Sequence, residues 1–259
     1  MPTEKYQLLS EMAVFEARLA ALSRYSLENC HCFVLVQDGL DQLCDFIRDP
    51  NHQAIWQRHL LCGEVDRQLK RLRETAIHAL CLLERHQSAC AKRHTLDVTQ
   101  YLNRLSVSAS TELQEARISL DSKVLFIGSG SYPLSAFTIA QLTGADVLGV
   151  DIDEKAVKLA SDLGYTSQKV SFTHDTLKDV LQRYTPTHVI IASLVEHKWE
   201  VLAQLRPLIS DSTCILVRFG NGIKSAFNYP FNPNLSMGWR STSLDNKQAV
   251  YDVIMMEKC

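Results

Sequence analysis

From Lys123 onward the chain alternates short β-rich runs with helical patterns, and no other feature constrains its fold as strongly. The runs fall at 123–127 (KVLFI), 146–150 (DVLGV), 169–172 (KVSF), 187–192 (THVIIA) and 213–218 (TCILVR). Helical spacing occupies about 133–142, 154–163, 176–184 and 197–206 between them. Four successive strand–helix steps predict a parallel sheet with right-handed crossovers and helices on both faces. The tail departs from this rhythm. NYPFNPN (228–234) is a turn-rich loop, and AVYDVIMMEK (249–258) predicts a last strand, which can lie antiparallel in an otherwise parallel sheet. The expected class is α/β, with a Rossmann-like domain.

The first 110 or so residues have a different period. Leu8, Met12, Phe15, Leu19 and Leu22 recur at spacings of three or four, which is one apolar face of a helix. Residues 33–48 predict a second helix, stopped at Asp49-Pro50 because the residue before proline disfavours helical backbone. A long helix follows Gly63, with its stripe at Val65, Leu69, Leu72, Ala76, Leu80 and Leu83 and with Arg67, Lys70, Arg73 and Arg85 on other faces. Another is expected from Asp97, carrying Tyr101 and Leu105 and reaching Glu112. The expected division is a helical N-terminal domain over 1–115 and a Rossmann-like domain over 116–259.

Composition narrows the class further. With 46% hydrophobic residues, 10 Gly and 7 Pro among 259, the chain is neither collagen-like nor of low complexity. A formal charge of −2 gives no general attraction to nucleic acid or to anionic membrane. No apolar run approaches the ~18 residues of a membrane span, and the opening MPTEKYQLLSEMAVFEARLA places acids inside its apolar pattern, unlike a secretory leader. Eight cysteines in such a chain are expected to be reduced cytoplasmic thiols.

The sharpest local signal is Val124-Leu-Phe-Ile-Gly128-Ser129-Gly130-Ser-Tyr132-Pro133-Leu134, a hydrophobic strand running through Gly-x-Gly into a helix. Glycines allow the tight turn and let a ligand approach the backbone. Twenty-one residues past Gly130 the second strand ends at Asp151, followed by Ile152 and Asp153. A carboxylate there can accept the hydroxyls of an adenosine ribose. A third glycine is missing, Pro133 suits a first helical turn, and no Walker lysine is present, so a pyrophosphate cradle is not spelled. Adenosine without a pyrophosphate fits better, and S-adenosylmethionine is such a ligand. His174-Asp175 after the third strand offers an acid to the adenine amino group, and Ser193-Leu194 after the fourth would flank the sulfonium. The alternative is that Asp153 and Asp175 simply cap the helices that follow them.

Five phrases in order resemble the nicotianamine synthase family. They are Leu61-Cys62-Gly63-Glu64, Tyr101-Leu102-Asn103, Phe126 to Leu134 with Val150 to Asp153, Ala192-Ser193-Leu194-Val195, and Val217-Arg218…Gly222…Asn228-Tyr229-Pro230. The short length and divergent helical part are similar to the bacterial opine-metallophore branch, aminobutanoyltransferases that act on histidine. Arg104 and the Phe219-Gly220-Asn221 stretch depart from the plant pattern near the expected acceptor pocket. The resemblance implies transfer of the 2-aminobutanoate arm of S-adenosylmethionine to an amino-acid amine, with methylthioadenosine released. It implies histidine as acceptor, in L or D form, no metal, and a downstream opine-type reductive dehydrogenase. It is compatible with a homodimer.

On that footing Glu64 is the expected base, with Tyr101 positioning the amine. Arg218, at the end of a strand, and Arg104 are expected to grip carboxylates through their guanidinium forks. Tyr229 is expected to close the pocket, and Glu196 is the second-choice base. Each has a structural reading beside it: a first-turn acid interacts with the helix dipole, and an aromatic residue at helical spacing packs in a core. A rival reading uses Cys30-His31-Cys32 and the His78, His86, Cys90, His94 row as a metal site. No Cys-x-x-Cys pair accompanies them, and solvated histidines with buried thiols account for the pattern.

Overall fold

The computed structural model describes residues 2–59, 63–91, 110–163, 169–235, 238–244 and 249–259. Residues 97–109 of the helix expected from Asp97, with Tyr101 and Arg104, lie outside the described residues, as does Cys62, while residues 110–115 are helical. The N-terminal half is helical: α1 (Pro2–Glu28), α2 (Phe33–Arg48), α3 (Pro50–Arg58) and α4 (Gly63–Ala91). Asp49-Pro50 does end α2, but it also begins α3. The Asp49 side chain accepts from the Asn51 amide, and proline fits a first helical turn, where its missing N–H costs nothing.

The second half is a seven-stranded sheet of order β3-β2-β1-β4-β5-β7-β6. Its strands are β1 (Lys123–Ile127), β2 (Asp146–Val150), β3 (Val170–Thr173), β4 (His188–Ile191), β5 (Cys214–Phe219), β6 (Trp239–Leu244) and β7 (Asp252–Lys258). The first five are parallel, with Phe126 paired to Gly149 on one side and to Ile190 on the other. The last strand is antiparallel to β5 and to β6. Helices α5 (Leu134–Thr143), α6 (Glu154–Asp162), α7 (Leu177–Arg183) and α8 (Lys198–Leu205) are the crossovers. This is the class I methyltransferase form of the α/β fold. Its strand order reverses between β1 and β4, so a ligand crevice opens beyond the carboxyl ends of those strands.

The expected strands lie within three residues of the observed ones at either end; β6 is the addition. Its sequence, WRSTSL, buries only Trp239 and lies at the sheet edge, so it has no apolar rhythm to read. The helical core joins the stripes of α1, α2 and α4 to Ile223, Ala226 and Phe227, which follow β5 in the chain. That packing lays the C-terminal half of α4 across the carboxyl edge of the sheet. Among the described residues no helix is long and apolar enough to cross a membrane.

Candidate active site

The turn after β1 is built for close approach. Gly128 and Gly130 have φ of +84° and +69°, a region that L side chains rarely enter. A Cβ on Gly128 would stand 2.7 Å from Val195 Cγ2, and one on Gly130 would stand 2.9 Å from Glu84 Oε2. The amides of Gly128 and Ser129 both donate to Val150 O, at 2.8 and 3.2 Å, which pins the turn to the end of β2. Tyr132 is 4% exposed, and Pro133 sits at the N-cap of α5, one residue before the helix starts.

Asp151 is held by the backbone it faces. Its Oδ2 accepts from the Gly130 amide at 2.8 Å and its Oδ1 from the Asp153 amide at 3.0 Å. Both oxygens retain lone pairs for ribose hydroxyls at the mouth of the crevice. Ile152, between the two acids, is fully exposed, an apolar face set beside the place where adenine would lie. Asp153 caps α6, accepting from the Lys155 amide at 2.9 Å, and pairs with Arg85 of α4 at 3.0 Å. The Lys155 and Ala156 amides and the Arg85 guanidinium together hold its carboxyl below the ordinary aspartate range, against burial. Asp175, by contrast, does not cap α7, because Thr176 does. Asp175 is bonded to Arg183, which lowers its pKa, and its amide donates to Thr173 Oγ1. His174 precedes it at the same edge.

The residue that sequence reasoning missed is Glu84. About three-quarters of the way along α4 it turns its carboxyl into the glycine turn, where the Ser131 amide donates to it. Burial, reinforced by the negative charge of Asp151, pushes its pKa from 4.5 up to about 8. One turn on, Ser88 Oγ donates to Ser131 O at 2.5 Å, fastening the helix to the same loop. One turn before, Cys81 is pushed up to about 11 by burial and by the same two carboxylates. The same helix also lines an open cleft of about 350 Å³, with Glu74, Ile77, His78, Cys81, Leu82 and Arg85 on α4 and Tyr229 across from them.

Two cationic side chains, Arg73 and Lys198, lie against the Tyr229 ring. Lys198 is 2% exposed and donates to Ser193 O at 3.0 Å and to Val195 O. Ser193 O also accepts from the Tyr229 amide at 3.1 Å, so the loop after β4 and the loop after β5 are tied at one atom. Burial and the nearby Arg73 guanidinium pull Lys198 from 10.5 down to about 7, with Glu196 opposing. Leu194 packs against the helical core. Glu196 is exposed and accepts from the Tyr229 hydroxyl; that contact and burial raise the Tyr229 pKa.

Several expected site residues lie elsewhere. Glu64 is exposed at the first turn of α4 and ion-paired to Lys5 at 3.0 Å. Twenty residues of helix separate it from Glu84, about 30 Å at 1.5 Å per residue. The structure therefore does not bring Glu64 to the glycine turn, and its first-turn position is the reason. Arg218, 3% exposed, spends its fork on Glu112 Oε2 at 2.9 Å and Ser135 Oγ at 3.1 Å, stacked between Phe126 and Tyr251. It faces the sheet interior rather than the cleft. Of the histidine row, His86 stacks on Phe33 at 4.0 Å and lies 3.6 Å from Cys90 Sγ. Among the described residues no group of three or more His, Cys, Asp or Glu is placed to hold a metal ion.

Comparison with known proteins gives a consistent picture. The family model described as nicotianamine synthase protein matches residues 25–258. The protein named L-histidine 2-aminobutanoyltransferase from Pseudomonas aeruginosa is 34% identical over 254 residues, 97% of each chain. Its namesake from Yersinia pestis is 31% identical over 257 residues, covering 98% of this chain and 96% of the relative. A mutant of MtNAS, crystallised in complex with S-adenosylmethionine, superposes with a TM-score of 0.81 at 17% identity, covering 97% of this chain and 98% of that one.

Proposed function

The chain belongs to the nicotianamine synthase family, and from that premise we propose that it transfers the 2-aminobutanoate arm of S-adenosylmethionine to the α-amine of L-histidine. The observation that carries this reading is Glu84. A carboxyl with its pKa near 8, set against the glycine turn and within the field of Asp151, is suited to hold an amino-acid ammonium and take its proton. The names of the relatives support histidine as the acceptor.

In this reading Asp151 holds the ribose, the Gly128–Gly130 turn admits the donor to the backbone, and Ile152 covers the adenine. Ser193 and Leu194 border the sulfonium. Glu84 accepts the amine proton as the amine nitrogen bonds the γ-carbon of the arm. The carbon–sulfur bond breaks in the same step, and its electron pair stays with sulfur as the neutral thioether of methylthioadenosine. The sulfonium is already a good leaving group, so alignment along α4 supplies most of the acceleration, with effective molarities up to about 10⁵ M or more. The base adds about 10²–10⁴. Nothing in the step calls for a metal.

The product bears a primary amine and two carboxylates, the substrate class of an opine-type reductive dehydrogenase, which we place downstream. We also place the protein in the cytoplasm, a reading supported by seven described cysteines that are all free thiols, and as a homodimer. The test is the identity of the adenosyl product. Purified protein with donor and L-histidine should release methylthioadenosine, and Glu84→Gln should bind donor while releasing it at least about a hundredfold more slowly. Release of S-adenosylhomocysteine would make the protein a methyltransferase. Unimpaired Glu84→Gln would remove Glu84 as the base.

A further inference from the structure

Two buried cationic side chains lie against Tyr229, a residue that lines the cleft, without a buried counter-ion among the described residues. Arg73 is 9% exposed and Lys198 2%, and their charged groups lie 5.1 and 5.8 Å from the centroid of the same ring, Tyr229. Arg73 Nη1 donates to Ser225 O at 2.8 Å, but its Nε, shielded from solvent, has no hydrogen-bond partner among the described residues. Lys198 uses two of its three donors on the carbonyls of Ser193 and Val195. The acids facing the pair are Glu196, which is exposed and bonded to the Tyr229 hydroxyl, and Glu74, which is exposed on α4. A buried donor left unsatisfied is costly, and adjacent like charges add to the cost. An anion entering beside Tyr229 would remove both penalties.

We propose that Arg73 and Lys198, beside the ring of Tyr229, form a subsite for the α-carboxylate of an amino-acid ligand in the cleft. A guanidinium beside an ammonium matches a carboxylate, whose two oxygens can each take a charge-assisted bond. Tyr229 lines the cleft and has the two cations 5.1 and 5.8 Å from its ring centroid, so it borders the subsite, and Glu196 accepts from its hydroxyl. A bound carboxylate would oppose the burial and the Arg73 charge that pull Lys198 down, and so favour its charged form. The carboxylate has two sources in the proposed reaction, the donor arm and the acceptor. In naming these two ligands the assignment rests on the proposed function.

The test uses full-length protein and pairs of ligands that differ only in the carboxylate. S-adenosylmethionine is compared with its decarboxylated form by equilibrium binding, and L-histidine with histamine by the KM of transfer. In Arg73→Gln, a donor subsite predicts that S-adenosylmethionine binds about tenfold or more weakly while the decarboxylated donor is unchanged. An acceptor subsite predicts the same split between histidine and histamine, with donor affinity intact. Arg73→Lys, which keeps the charge and loses the fork, should recover part of the loss, and it serves for the same ratios if Arg73→Gln does not fold. Equal shifts for both members of a pair, or no shift in either pair, would overturn the proposal. The donor pair reads the subsite even if wild-type protein transfers nothing to histidine, so failure of the subsite and failure of the functional reading give different results.

Discussion

Glu84 carries two pH dependences of opposite sign. Its carboxyl is raised from 4.5 to about 8 in the folded chain, so between those values the folded state keeps a proton that the unfolded chain releases. Its contribution to stability is fully present below about pH 4.5 and is lost as pH rises through about 8. Thermal midpoints of the ligand-free protein should fall across that window, and Glu84→Gln should flatten the fall. Activity runs the other way, because the base must be ionised. The profile of kcat/KM should rise with an inflection near pH 8 and level off above it, while the inflection in kcat, which reports the loaded protein, should move lower as the cationic sulfonium favours the carboxylate. A kcat/KM profile that falls from pH 6 to 8 would contradict the assignment. Glu84 was not legible in the sequence for a simple reason: it lies beside the Leu80–Leu83 stripe with no phrase around it, and its partners at 130, 131 and 151 come from another part of the chain. Glu64, in contrast, had the phrase without the address. The Arg218 partner Glu112, 106 residues away, was equally hidden.

At the scale of elements the turn after β1 and the start of α6 divide stability from binding. Gly128→Ala puts a methyl into left-handed backbone and against Val195, so it should lower unfolding free energy by about 1–2 kcal/mol or more, read by urea denaturation. Gly130→Ala meets the movable carboxylate of Glu84, so its larger effect should be on turnover. Asp153→Ala removes the α6 cap and should cost about 1 kcal/mol with donor affinity nearly unchanged, since the paired Arg85 is half exposed. Asp151→Ala should weaken donor binding about tenfold or more. If isothermal titration found the reverse pattern for the two aspartates, the division between cap and ligand would be wrong. Strand and helix positions were legible because each parallel strand is apolar and each crossover keeps helical spacing. The edge strand β6 and the proline-led α3 were not, one lacking a buried face and the other beginning where a stop signal stood.

For the whole molecule the arrangement is a helix laid across the open edge of a nucleotide-binding sheet. The sheet supplies the turn, Asp151 and the β4 loop; α4 supplies Glu84 and the floor of the cleft. In the proposed reaction neither is sufficient alone, because the acid proposed to take the proton and the backbone proposed to admit the donor come from different halves of the chain. The alternation of strands and helices announced the sheet, and the phrases around 61–64 and 126–134 announced the family. The crossing of the two halves was not announced, since it depends on packing between α4 and Ile223, Ala226 and Phe227, more than 130 residues downstream. The central claim is that the arm of the donor, and not its methyl group, moves to the amine of histidine. The direct measurement is mass spectrometry of a reaction with S-adenosylmethionine carrying heavy carbon throughout its aminobutanoate arm. The account predicts that the label appears on histidine, with unlabelled methylthioadenosine released. Label retained in S-adenosylhomocysteine would contradict it.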